Sequence, residues 1–118
     1  METEKLAKKK CRPCEGKTRP MARTTVSKYL RATRSWQLSK DGKKIYRNYR
    51  MKNFMAAVDF INRIAHIAET ENHHPNLHLT RYRKLKVELS THAIGGLSEN
   101  DFILAVKIDQ QPHLLRAG

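Results

Sequence analysis

No apolar run in this chain approaches the roughly 20 residues that a helix needs to cross a bilayer, so no membrane span is expected. The first residues, Met1-Glu2-Thr3-Glu4, lack the apolar stretch of a signal peptide and are too acidic for an obvious transit peptide. A cytoplasmic location is expected, with an organelle left open. Cysteine is scarce: only Cys11 and Cys14 occur, and nothing demands an oxidising compartment. They stand as Cys-Arg-Pro-Cys, which is half of a zinc site. Their Lys/Pro-rich setting is not the strand-to-helix junction of a thioredoxin-type motif. No chemical role, a metal or redox role completed by a second chain, and a redox role alone all stay open. There is no His-Glu-x-x-His motif and no internal repeat, although a strand-strand-helix order occurs twice.

What is present is enough for one compact domain. The chain has 118 residues, 39% of them hydrophobic and 30% charged, which reads as globular rather than disordered. Charge is lopsided. Residues 1–52 hold 17 Lys/Arg against 4 Asp/Glu, while residues 53–118 hold 7 of each, so the net charge of +13 lies wholly in the first half. Such a block attracts nucleic acid, acidic partners or anionic surfaces, or is simply a solvated face. Without a reading motif or aromatics interleaved for stacking, nucleic acid is not an expected partner. Trp36, Tyr46 and Tyr49 lie in strand-like segments and suit a core equally well.

Residues 1–21 read as a flexible basic arm, mobile and dispensable for chemistry, and residues 22–118 as the domain. Val26, Tyr29 and Leu30 share one face of a short helix over about 25–33. Residues 34–50 read as a hairpin turning at Asp41-Gly42, a type I′ signal. The clearest helix starts at the capping residue Asn53 and ends near Asn72, with Phe54, Ala57, Val58, Ile61, Ile64, Ala65 and Ala68 as its apolar stripe. Pro75 is expected to force its end. Leu77 and Leu79, then Leu85, Val87 and Leu89, alternate as two more strands. Ser98-Glu99-Asn100-Asp101 matches a capping box that opens a last helix through about Asp109, with Phe102, Ala105, Val106 and Ile108 inward. Helix-strand-strand-helix-strand-strand-helix predicts an α+β two-layer sandwich, a four-stranded antiparallel sheet with three helices on one face.

The densest chemical signal is Glu69-Thr70-Glu71-Asn72-His73-His74-Pro75 at a helix end, with His92 just after a strand. Histidine suits proton transfer near neutrality, because one neutral imidazole can take a proton while a protonated one gives. A carboxylate such as Glu69 or Asp101 could set tautomers or anchor a substrate amide. Structural, metal-binding and acid–base roles are all open for the three histidines on residue type alone. His66, His78 and His113 read as structural or exposed.

Glu69-x3-His73-His74-Pro75, with six residues before Tyr82, nine more before His92 and eight more before Asp101, resembles the signature of the pterin-4a-carbinolamine dehydratases. Leu89-Ser90-Thr91-His92, Gly96-Leu97-Ser98-Glu99-x-Asp101 and Lys52-Asn53-Phe54 are similar to that family's local wording. The resemblance covers roughly residues 20–110. Leu77 stands where an aromatic is frequent, and Asn72 where some members carry Asp. The resemblance implies a lyase that dehydrates a 4a-hydroxytetrahydropterin, with His73, His74 and His92 catalytic. It also implies substrate contacts from Glu69, Asn72, Pro75, Ser90, Thr91 and Asp101, without metal or organic cofactor. His73 and His92 are the expected acid–base pair and His74 chiefly a binder. A homo-oligomer, a tetramer rather than a dimer, is implied as well. The rival readings are a protein-binding or coactivator module, as in relatives that dimerise a homeodomain factor, and a small metal-binding protein.

Overall fold

The structure is a computed structural model, and it describes residues 3–12 and 19–116. Cys14 lies outside the described residues. The order is α1 (Thr3–Lys8), α2 (Arg23–Ala32), β1 (Gln37–Leu38), β2 (Ile45–Arg50), α3 (Phe54–Glu71), β3 (Asn76–Thr80), β4 (Lys84–Leu89), a 3₁₀ turn (His92–Ile94) and α4 (Glu99–Asp109). The four strands form one antiparallel sheet in the order β1-β2-β4-β3. This is the α+β architecture the pattern predicts.

The two-residue period of the strands divides the sheet cleanly. Ile45, Tyr49, Leu85, Val87 and Leu89 are buried on the helix side, while Asn48, Arg50, Lys84 and His78 are exposed. Register follows this division: Tyr49 pairs with Leu85 and Ile45 with Leu89 on the two central strands. Each such fully buried large side chain contributes about 1.5–3 kcal/mol of transfer free energy.

The hairpin turn differs from the expectation. Ser39 N–H donates to Lys44 C=O at 2.9 Å, so the loop is four residues, Lys40 to Lys43. Only Gly42 has positive φ there (73°), and the Asp41 carboxylate accepts from the Ser39 hydroxyl and the Lys43 N–H instead. The two consecutive positive-φ residues that a type I′ turn needs occur at Arg81 (48°) and Tyr82 (55°), between β3 and β4. Neither residue type announces it.

The stripe expected on α3 is only partly the buried one. Asn53 caps the helix by accepting from Ala56 N–H at 2.8 Å, and Ala56, Ala57, Phe60, Ile64 and Ala68 are buried. Phe60 meets Tyr49 edge-on at 4.9 Å between ring centres. Phe54 is 50% exposed, Ala65 is exposed, and Val58 and Ile61 are half-buried. The helix carries two interleaved apolar stripes, and spacing alone does not say which one the sheet covers.

α4 is buried on nearly every side: Phe102, Ile103, Leu104, Ala105, Val106 and Ile108 are all core. It lies against both α3 and α1. Thr3–Lys8, at the start of the stretch read as a flexible basic arm, is thus a helix set against the domain. Leu6 of α1 is 1% exposed and belongs to the main core. One leucine among lysines is a weak sequence signal, yet it suffices here because α4 offers an apolar outer side. His113 stacks near Phe60 and Tyr49, and the tail beyond it pairs with the end of β2 through Met51 and Leu115.

Candidate active site

Two chain reversals build the site. At the first, Asn72 takes the left-handed conformation (φ 50°), and His73 N–H closes back on Ala68 C=O at 3.1 Å. Asparagine tolerates that conformation better than most residues, so the helix ends at Asn72. Pro75 follows the reversal and leads into β3 rather than causing the stop. At the second, Thr91 N–H donates to Gly96 C=O at 2.8 Å and closes a loop over His92–Ile94. Gly95 ends that turn with φ 67°. Gly96 has a different constraint: a Cβ there would lie 2.8 Å from Pro20 Cβ. Met21 N–H donates to Leu97 C=O beside it, at 2.8 Å.

Between the reversals lies a cleft of about 370 Å³ lined by Asn72, His73, His74, Ser90, Thr91, His92, Ala93, Asn100 and Arg12. All three predicted histidines reach it. Asp101 does not line it but supports it from beneath. Its side chain is fully buried, Oδ1 lies 2.7 Å from His73 Nε2, and Oδ2 accepts from Thr91 Oγ1 at 2.8 Å and Ser98 N–H at 3.0 Å. The carboxylate that caps α4 is thus also the partner of a cleft histidine. A carboxylate can only accept, so His73 carries a hydrogen on Nε2, and Nδ1 is the ring nitrogen left for other partners. The His73 side chain is 12% exposed. His74 Nε2 lies 2.5 Å from Glu69 Oε2, and both are well exposed. His92 is exposed on the facing loop. Glu69 and Pro75, expected at the substrate, are not among the lining residues.

Sequence reasoning missed Arg12 and Asn100. Arg12 N–H donates to Asn100 Oδ1 at 2.9 Å, and Asn100 Nδ2 donates back to Arg12 C=O at 2.5 Å. Beside them Cys11 N–H donates to Glu71 Oε1 at 2.8 Å, and Lys107 holds the other Glu71 oxygen at 3.0 Å. Burial, then the Glu71 charge, push the Cys11 thiol up to about 12. Its surroundings thus favour the neutral thiol, the less nucleophilic form. Its Sγ lies 3.6 Å from Asn100 C=O. The adjacency of Asn100 to Asp101 was the one available signal, since a residue flanking a buried cap points elsewhere on the same helix turn.

His78 pairs with Glu88 on the open sheet face, and His66 lies on the exposed side of α3, away from the cleft. Among the described residues, no group of three or more His, Cys, Asp or Glu has metal-holding geometry, and no helix is long and apolar enough to cross a membrane.

Fold and site together define a small two-layer α+β domain whose helix end and strand end share a three-histidine cleft. A family model described as pterin 4 alpha carbinolamine dehydratase matches residues 19–111. The chain is 46% identical over 108 residues to pterin-4-alpha-carbinolamine dehydratase 2, mitochondrial, of Arabidopsis thaliana, covering 89% of this chain but 58% of that protein. It is 43% identical to a putative pterin-4-alpha-carbinolamine dehydratase of Halorhodospira halophila, covering 88% and 94% of the two chains. The crystal structure of a transcriptional coactivator/pterin dehydratase from Brucella melitensis superposes with a TM-score of 0.72 at 30% identity, covering 76% of this chain and 95% of that one. The chain belongs to the pterin-4a-carbinolamine dehydratase family.

Proposed function

We propose that this protein is a hydro-lyase converting 4a-hydroxytetrahydropterins, such as 4a-hydroxytetrahydrobiopterin, to quinonoid dihydropterins in tetrahydrobiopterin recycling. The observation that carries the reading is the His73–Asp101 pair beneath a cleft shared by three histidines, in a chain of this family. His73 Nδ1 takes the N5 proton. The released electron pair forms the C4a=N5 bond as the C4a–O bond breaks, and His92 gives the departing oxygen its proton, so water leaves. His74, held by Glu69, binds the pterin ring, with Asn72, Ser90 and Thr91 on the same walls. The chemistry uses neither metal nor organic cofactor.

The direct test is turnover of enzymatically generated 4a-hydroxypterin, after subtraction of the unaided dehydration. His73→Ala and His92→Ala should each lower kcat by about 10²–10⁴-fold with little change in KM. His74→Ala should raise KM more than it lowers kcat. Folded variants that all keep wild-type turnover would overturn the assignment.

The assembly we propose is a homotetramer. The exposed second stripe of α3 and the edge strand β3, with unpaired backbone groups, are its contact surfaces. The same α3 stripe favours a second reading, a coactivator role through protein binding, which the name of the Brucella relative also carries. A dehydratase-dead variant that still binds its protein partner would separate the two.

A further inference from the structure

We infer that residues 3–12 supply one wall of the substrate cleft, and that Arg12 is a substrate-positioning residue that donates to the pterin carbonyl. The inference rests on the proposed dehydratase reading and deepens it. Three anchors hold the segment in place, and each lies on a different part of the core. Leu6 is buried with the main core through α1. The Cys11 N–H is tied to Glu71, itself 6% exposed and bridged to Lys107 on α4. Arg12 exchanges two backbone-to-side-chain bonds with Asn100, one residue before the carboxylate that holds His73. The backbone fixed this way has lost its freedom before substrate arrives, which lowers the cost of placing the Arg12 side chain on a ligand.

Among the described residues that line the cleft, Arg12 is the sole Lys or Arg. The histidines, Asn72, Ser90, Thr91 and Asn100 can each present a lone pair, whereas a guanidinium only donates and is always charged. Its place on a pterin follows from charge. N5 gains positive character as the C4a–O bond breaks, so a guanidinium against N5 would oppose the reaction. The ring carbonyl accepts hydrogen bonds and changes least in charge. A bond there strengthens ground state and transition state alike, so it acts on KM and leaves kcat nearly unchanged.

The experiment uses the full chain and two readouts. The first is fluorescence titration with oxidised biopterin, which binds as a pterin but has no 4a-hydroxyl to lose. The second is steady-state dehydration. Arg12→Ala should weaken biopterin binding and raise KM by about tenfold, with kcat within about twofold. Arg12→Lys should recover part of both losses. Lys10→Ala, an exposed neighbour, should match wild type in both. Leu6→Ala, remote from the cleft, should loosen the wall and move KM in the same direction, with melting curves showing that the domain stays folded. Unchanged biopterin affinity and unchanged KM in Arg12→Ala would overturn the inference. A wild type that fails to speed dehydration would sink the proposed function instead, and the titration would still decide the role of Arg12.

Discussion

Replacing Asp101 by Asn tests the proton logic of the site with almost no change of shape. The wild-type carboxylate accepts three bonds, one at Oδ1 from His73 and two at Oδ2 from Thr91 and Ser98 N–H. An amide has one acceptor and one donor atom. Its oxygen must stay toward the Ser98 N–H, because the reverse orientation buries two donors against each other at about 1–3 kcal/mol. The NH₂ group therefore faces His73 Nε2, which must then accept. The ring hydrogen moves to Nδ1, and the nitrogen proposed to take the N5 proton is no longer basic. Loss of a positioned base costs about 10²–10⁴-fold in kcat, or about 2.7–5.5 kcal/mol of barrier. The same Asp→Asn change behind the histidine of a serine-protease triad costs about 10⁴ for the same tautomeric reason. Stability should change less: three charge-assisted bonds become neutral ones while every group stays paired, a loss of about 1–3 kcal/mol and a fall of several degrees or more in melting temperature. The assay is background-corrected dehydration beside a thermal melt. A folded Asp101→Asn protein with kcat within threefold of wild type would refute the base role of His73 and the tautomer assigned to it.

Three further outcomes follow from packing and charge. Gly96→Ala should destabilise by about 1–3 kcal/mol, because its Cβ would meet Pro20 at 2.8 Å and push residues 20–21 off Leu97; an unchanged melting temperature would show that Pro20 moves freely. Glu71, Glu88 and Glu99 are each held below the ordinary glutamate value of 4.5. For Glu71, burial pushes upward but the Cys11 N–H and Lys107 outweigh it; for Glu88 the His78 bond leads; for Glu99, Tyr29 and Lys9 outweigh burial. A depressed folded value means that this stabilisation is complete above about pH 4.5 and is lost as pH falls through the folded values. The melting temperature should therefore drop steeply from pH 5 to 3, less so in Glu71→Gln, and a flat profile would contradict the ion-pair geometry. In light scattering at micromolar concentration the wild type should appear near four times 13.7 kDa, and Phe54→Glu on the exposed α3 stripe should shift it to smaller species; a wild type that runs only as a 13.7 kDa particle would rule the tetramer out.

Much of the molecule follows from local pattern. Alternation in Leu85-Lys86-Val87-Glu88-Leu89 specifies a strand and its buried side, since a one-residue slip would bury Lys86 and Glu88. Asn53 and the Ser98–Asp101 box mark two helix starts because capping is satisfied within four residues. The motif histidines were legible for a similar reason: they sit at element ends, where side chains leave a helix or strand for the space between. What tertiary structure decided is which surfaces meet. The two stripes of α3 are equivalent in spacing, and only the approach of Tyr49 and the sheet selects Phe60 over Phe54. Asp101 reads locally as a cap, and its hold on His73, 28 residues away, exists only once α4 lies under the end of α3. Leu6, Cys11 and Arg12 carry no periodic signal at all. Their partners, α4, Glu71 and Asn100, are 60 or more residues distant, so their places are set by surfaces that exist only after the rest of the chain has folded.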